Sequence, residues 1–196
     1  MPRHPRAGSA GHIFHVLNRG VRRSRLFDTD ADFGDFERLI AKTRARVPVR
    51  LHAFILMHNH FHFVVWPHEE GQLSEFMRLL TSAHACRRHT QMGTRGTGAI
   101  YQGRFKSFPI QGDAHFLRVC RYVERNALRA GRCRRAEDWR WSSLWHHCRN
   151  SNLLAMDPWP IQRPVDWLEE INRGEVEDLE GLRASIRTGR AYAGDE

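Results

Sequence analysis

One short stretch of the chain, residues 57–66, restricts the possible folds more than any other. It reads MHNHFHFVVW, and from residue 60 its side chains alternate between two sets: Phe61, Phe63 and Val65 in one, and His60, His62, Val64 and Trp66 in the other. A period of two predicts a half-buried β-strand, because successive side chains of a strand point to opposite faces. One face would pack against helices, and the other would present two imidazoles side by side.

This pair of imidazoles has three possible interpretations. Two histidines on one strand face can bind a divalent metal ion when a third ligand comes from elsewhere in the fold. The chain has 13 histidines, however, so close pairs also arise by chance, and a strand histidine is commonly only packed. A structural zinc site formed by His58, His60 and His62 is the third interpretation. The pattern alone leaves all three open.

The elements around this strand predict the fold. They follow the order strand–helix–strand–strand–helix–strand, which is typical of the split βαβ, ferredoxin-like arrangement. We predict strands over 12–18, 50–57, 60–66 and 100–110, and helices that Asp30, Ser74 and Asp113 open. The expected fold class is α+β: a central four-stranded antiparallel sheet with helices on one face. The other face would be free, with the third helix, which runs to about Leu128, near it.

The expected organisation is one domain with two flanking segments. A flexible basic arm spans 1–11, the domain spans 12–148, and a linker rich in proline and tryptophan leads into a C-terminal helical tail over 149–196. The four cysteines form no CxxC pair and are expected to be reduced. No apolar run approaches the ~20 residues that span a bilayer, so we expect a cytoplasmic protein without a membrane partner.

The charge indicates a nucleic-acid partner. The chain has 31 basic and 22 acidic residues, a net charge of +9, and Lys42 and Lys106 are its only lysines. Arginine pairs with phosphate in a bidentate manner and stacks on bases. A genome rich in arginine codons would explain arginine over lysine, but it would not explain the excess over the carboxylates.

Tyr122, in the third predicted helix, lies off the apolar stripe of that helix. The stripe consists of Phe116, Cys120, Val123 and Ala127. At about 100° per residue, the side of Tyr122 is shared by Arg118, Asn126 and Arg129. Two arginines and a carboxamide are side chains that bind phosphate. The alternative is a surface tyrosine on a solvated helix face.

The tyrosine and the histidine pair are chemically complementary. A phenol has a pKa near 10, so only about 10⁻³ of it is ionised at pH 7. Attack on a phosphodiester therefore needs a metal ion or a base. Two imidazoles and one amide oxygen supply three ligands and leave positions for phosphate oxygens.

The chain resembles the HUH single-tyrosine transposases, specifically the branch of REP-associated tyrosine transposases. The His60-Phe61-His62 motif matches the His-hydrophobic-His motif of that family. Further matching stretches are HVLNRG at 15–20, LFDTDAD at 26–32, YQGRF at 101–105, RYVERN at 121–126, RAG at 129–131 and WSS at 141–143. The resemblance covers about residues 10–148 in order.

This resemblance implies a specific activity. Such enzymes cut single-stranded DNA: a tyrosine attacks the phosphate and leaves a 5′-phosphotyrosine link and a free 3′-hydroxyl. By position, Tyr122 is the nucleophile, and His60 and His62 hold Mg²⁺ or Mn²⁺. Asn126 stands where relatives with Gln supply a third ligand. The DNA partner of this branch is a repetitive extragenic palindrome, recognised as a hairpin with a short single-stranded foot.

Three positions depart from the family pattern. His58 replaces the usual proline, and we interpret it as a turn residue rather than an extra ligand. Asn126 is one methylene shorter than Gln, so it ligates either directly or through a bridging water. Tyr101 stands where relatives often have Trp, and we interpret it as a packing residue.

The predicted function is a metal-dependent single-stranded DNA endonuclease and strand transferase, with a monomer favoured over a homodimer. DNA binding is assigned to the arm and to basic residues: Arg19, Arg22, Arg23, Arg25, Arg104 and Lys106, with Arg118 and Arg129 on the tyrosine helix. The main alternative is a non-catalytic single-stranded nucleic-acid-binding protein on the same fold. Replication initiators and relaxases share the chemistry but usually carry further domains.

Overall fold

The computed structural model describes residues 11–173, and its centre is a four-stranded antiparallel sheet. The strands are β1 Phe14–Arg19, β2 Arg50–Met57, β3 His60–Trp66 and β4 Lys106–Pro109. Their order across the sheet is β2-β3-β1-β4, and each neighbouring pair is antiparallel. This is the ferredoxin-like, split βαβ order, so the predicted α+β fold class is confirmed.

Six α-helices occur within the described range. They are α1 Asp30–Arg46, α2 Gln72–Met92, α3 Gly112–Glu124, α4 Asn126–Arg129, α5 Ser143–Cys148 and α6 Trp167–Asn172. No helix in residues 11–173 is long and apolar enough to cross a membrane. The basic arm lies almost wholly outside the described residues, as does the part of the predicted tail after residue 173.

Several predicted boundaries are wrong, for local reasons. Helix α1 is capped by Thr29 rather than Asp30, because the Thr29 hydroxyl accepts from the Asp32 amide while the Asp32 carboxylate accepts from the Thr29 amide. Helix α2 begins at Gln72, two residues before Ser74. Strand β4 is limited to the four residues that pair with β1.

The predicted third helix is interrupted. Helix α3 ends at Glu124, and Arg125 has φ −87° and ψ −6°, away from ideal helical values. The chain then forms the short α4, which begins at Asn126. The interruption therefore falls between Tyr122 and Asn126.

The larger core lies between the sheet and the first two helices. Phe36 of α1 and Phe76 of α2 pack with Phe61 and Phe63 of β3, and all four are fully buried. Complete burial of a phenylalanine contributes about 1.5–3 kcal/mol. The apolar face of β3 therefore packs against helices, as its sequence predicts.

The second face of the sheet is covered, and the expectation that it is free is wrong. Helix α3 lies on it, and Val119, Cys120 and Val123 form a second core with Ile55 and Val64. The reason is that the apolar stripe of α3 has nowhere else to be buried. Since β3 presents its histidines on this face, α3 lies against them.

The segment after α5 packs onto α3. The Glu124 carboxylate is fully buried and accepts from the Ser143 hydroxyl at 2.7 Å and from the Trp167 indole at 2.9 Å. Arg125 donates to the Ile171 carbonyl at 2.9 Å and to the Arg173 carbonyl. Helix α6 therefore holds the end of α3, while the division of the chain at residue 148 stays a prediction.

Candidate active site

The histidine pair lies on the sheet face that α3 covers. His60 and His62 stand opposite Arg19 and Leu17 in the antiparallel β1–β3 pairing. Their rings are perpendicular, with centroids 5.1 Å apart. His62 is 2% exposed, and His60 is half-buried at the strand end. One side of the site is therefore deep in the protein and the other is open to a ligand.

Tyr122 lies directly against His62, the buried member of this pair. Its ring meets His62 edge-on with centroids 5.5 Å apart and is 6% exposed. The Arg129 guanidinium carbon lies 5.9 Å from the tyrosine ring centroid. The solvated-surface alternative for Tyr122 is wrong, because α3 buries a second side in addition to its apolar stripe.

Asn126 is brought to the same place. It is 1% exposed, and neither its amide nitrogen nor its carbonyl oxygen has a hydrogen-bond partner of ordinary geometry in the described structure. Its carboxamide faces the His60 imidazole. A buried amide without well-formed hydrogen bonds is costly, and a bound ligand would relieve that cost. Two imidazoles and an amide oxygen suit a divalent ion such as Mn²⁺, and the donor set therefore fits the expected group.

The site keeps its histidines neutral. Burial lowers the pKa of His60 to about 4; nearby Arg19 adds to this effect, and the Asn126 carboxamide opposes it. Burial, followed by the neighbouring His15 and His60, holds the pKa of His62 well below its ordinary value. A neutral imidazole is the form that ligates a metal ion.

Two residues beside the pair were not predicted as site residues. His15 on β1 lies with Nε2 2.9 Å from Nδ1 of His62, and its ring stacks on that ring with centroids 5.1 Å apart. Asn59 accepts from Nδ1 of His60 through Oδ1, at 2.6 Å. Asn59 could have been predicted as a site residue because it directly precedes His60 in sequence. His15 could not, because its contact with His62 depends on the register between β1 and β3.

The structure brings together only some of the predicted DNA-binding residues. Arg19 and Arg129 lie close enough to the histidines to lower the pKa of His60. Arg22 and Arg23 are exposed in a tight turn after β1, where their φ angles of 51° and 62° are left-handed. Arg25 pairs with the Asp28 carboxylate at 2.9 Å, away from the histidine pair. Of the remaining three, Arg104 and Lys106 are exposed and Arg118 is half-buried.

Two of the three positions that depart from the family pattern, His58 and Tyr101, have structural roles. The His58 ring packs beside Phe33 and Trp139, in the helix layer. No group of three His, Cys, Asp or Glu side chains suited to a metal occurs in residues 11–173, so the three-histidine zinc site has no geometric support. The Tyr101 hydroxyl is hydrogen-bonded to Nδ1 of His84 at 2.6 Å, and burial raises its pKa well above the ordinary value.

A ferredoxin-like sheet with paired imidazoles facing a helix-borne tyrosine defines the class of HUH single-tyrosine nucleases. The family model described as "Transposase IS200 like" matches residues 9–126. The chain belongs to the IS200-like transposase family and is an enzyme of that kind. No curated protein matches it.

A solved structure has the same fold. It is that of a REP-associated tyrosine transposase bound to a REP hairpin, with a TM-score of 0.57 and 21% sequence identity. The match covers 84% of this chain and 99% of the other. At this identity the similarity establishes the shared fold.

Proposed function

We propose that the protein is a REP-associated tyrosine transposase that cuts and rejoins single-stranded DNA at hairpins, with a divalent metal ion and a 5′-phosphotyrosine intermediate. The observation that carries the proposal is the edge contact between the Tyr122 ring and His62, beside the unpaired Asn126 carboxamide. All three residues come from one chain, so the proposed site needs no residue from a second copy, and the proposal is a monomer. The hairpin bound by the structurally similar transposase supports the choice of DNA.

The proposed reaction exchanges one phosphate ester for another. The Tyr122 phenol oxygen attacks the phosphorus and loses its proton, the bond from phosphorus to the 3′ oxygen breaks, and that oxygen leaves and takes up a proton. The 5′-phosphate then stays on Tyr122, and attack by a 3′-hydroxyl reverses the step. Rejoining needs no added energy source, because the number of phosphate esters is unchanged.

The surrounding residues have distinct parts in this proposal. His60, His62 and the Asn126 oxygen would hold Mg²⁺ or Mn²⁺, which supplies charge neutralisation at the phosphate when bound. Arg129, over the tyrosine ring, and Arg19, beside His60, add fixed positive charge. Such preorganised charge stabilises a transition state in which negative charge builds up on the phosphate oxygens.

A direct assay tests the proposal. The full-length protein is incubated with Mn²⁺ and a palindromic hairpin that has a single-stranded foot, labelled in separate samples at its 5′ or 3′ end. We expect a covalent protein–DNA band on a denaturing gel with the 3′ label only, and a free shortened strand with the 5′ label. Binding without cleavage or adduct would instead favour the non-catalytic binder.

Asn126 provides a prediction about the ion. Asn126→Ala should weaken Mn²⁺ binding about tenfold, because the site loses an oxygen donor while both imidazoles stay. Asn126→Gln keeps the oxygen and should retain most of the affinity. Electron paramagnetic resonance of free Mn²⁺ measures both. Unchanged affinity in Asn126→Ala would exclude the carboxamide as a ligand.

The arginine turn provides a prediction about DNA. Replacing both Arg22 and Arg23 with alanine should weaken hairpin binding and lower the slope of log affinity against log salt by about 1.4–1.8, the amount for two lost phosphate contacts. The matched control replaces Arg38 and Arg46, which are exposed on α1. Fluorescence anisotropy across a salt series measures the slope. An equal loss in both double variants would assign the effect to net charge alone.

A further inference from the structure

His15 makes a buried hydrogen bond to the ligand pair that the proposed reaction does not use. Its Nε2 lies 2.9 Å from Nδ1 of His62, and His15 is 1% exposed. Exactly one proton fits between these nitrogens, since two N–H groups would clash and two lone pairs would repel. The bond therefore has a direction, and that direction decides which nitrogen of His62 carries a proton.

His60 also makes a hydrogen bond through Nδ1, and here the direction of the bond is fixed by its partner. Its Nδ1 lies 2.6 Å from the Asn59 side-chain oxygen, which can only accept, so the His60 proton is on Nδ1. The Asn59 amide nitrogen donates to the Arg23 carbonyl at 3.3 Å, which fixes the orientation of the carboxamide. Nε2 of His60 therefore presents a lone pair.

We propose that His15 is a positioning residue that accepts the Nδ1 proton of His62, so that Nε2 of His62 is available as a metal ligand. The inference rests on the proposed function, because it requires an ion at the pair. With the opposite direction, Nε2 of His62 would carry the proton and could not ligate. Partners at the second ring nitrogen commonly orient metal-binding histidines in this way.

The second ring nitrogen of His15, Nδ1, indicates that the hydrogen bond to His62 can also run in the opposite direction. Its Nδ1 is buried and has no hydrogen-bond partner in the described part of the chain. When His15 accepts at Nε2, this Nδ1 carries an unpaired N–H, whereas the opposite direction leaves only a lone pair there. A buried donor without a partner is costly, so we expect the metal-free protein to favour the opposite direction. An ion bound at Nε2 of His62 would then require the proton of each ring, His62 and His15, to lie on Nδ1 rather than on Nε2.

Variants of His15 test the inference through metal affinity of the DNA-free protein. His15→Phe keeps a ring but removes the acceptor, and we expect Mn²⁺ affinity to fall about 10- to 100-fold. His15→Gln places an amide oxygen near the position of Nε2 and should restore most of the affinity. The matched control is His84→Phe, which removes a buried imidazole from the opposite face of the sheet and should leave Mn²⁺ binding unchanged.

A second measurement uses the unaltered protein and does not depend on how the variants fold. Nitrogen-15 spectra of labelled histidines report the tautomer of each ring, and we expect the His62 proton on Nε2 without metal and on Nδ1 with Mg²⁺. Wild-type Mn²⁺ affinity in His15→Phe, or a His62 proton that stays on Nε2 with Mg²⁺ bound, overturns the inference alone. Absence of Mn²⁺ binding by the wild-type protein, or binding that His60→Ala leaves unchanged, overturns the proposed function as well.

Discussion

Tyr122→Phe is expected to abolish the covalent protein–DNA adduct and to lower strand cleavage by more than about 10³-fold, the order of loss when a catalytic nucleophile is removed. The phenyl ring keeps the edge contact with His62 and the cation–π contact with Arg129, so folding and hairpin affinity should hardly change. Denaturing gels measure the adduct and the cleaved strand, and anisotropy without divalent metal measures binding.

The matched control for this prediction is Tyr101→Phe. It removes another buried phenol hydroxyl, the partner of His84, on the opposite side of the sheet. Adduct formation should persist in this variant. If instead Tyr122→Phe retains cleavage, the nucleophile is another group or a water molecule, and the phosphotyrosine route is wrong.

His60→Ala and His62→Ala should each lower cleavage by more than about 10³-fold and weaken Mn²⁺ binding by more than about 100-fold, because one of three ligands is lost. Chelation should stop the wild-type enzyme reversibly, and added Mn²⁺ should restore it. Hairpin binding without metal should remain, since both variants keep the exposed arginines that are proposed to contact the phosphates. Calorimetry measures the ion, and the labelled-hairpin gel measures the cleavage.

His58→Ala is the control for these two variants. His58 directly precedes the motif, yet its ring packs in the helix layer, where its Nδ1 contacts the Arg25 guanidinium at 2.9 Å. We expect Mn²⁺ affinity in this variant to match the wild type. Equal losses in all three histidine variants would favour the three-histidine zinc site instead, especially if chelation also lowered the unfolding temperature.

The sequence predicts the central strand and its neighbour well, because their signal is local. Strands β2 and β3 have the expected bounds, and His60 and His62 share a face because side chains on a strand alternate. The environment of Tyr122 was harder to predict. A helical wheel predicts burial only for the residues of one apolar stripe. Helix α3 is buried on a second side as well, because of the way it packs onto the sheet.

His15 shows why the site was only partly predictable. It is 47 residues from His62 in sequence, and their contact exists because β1 pairs with β3 in one particular register. A shift of one residue would turn His15 to the opposite face.

The interruption at Arg125 links the site to a distant part of the chain. The region shared with the transposase family ends at residue 126, yet the Arg125 guanidinium is held by the carbonyl groups of Ile171 and Arg173. A minimal unit cut at the family boundary would therefore keep both imidazoles and the phenol but lose the two carbonyl groups that hold Arg125, between Tyr122 and Asn126. We therefore expect an active fragment to need the residues up to 173 that hold Arg125, beyond the extent of the family motifs.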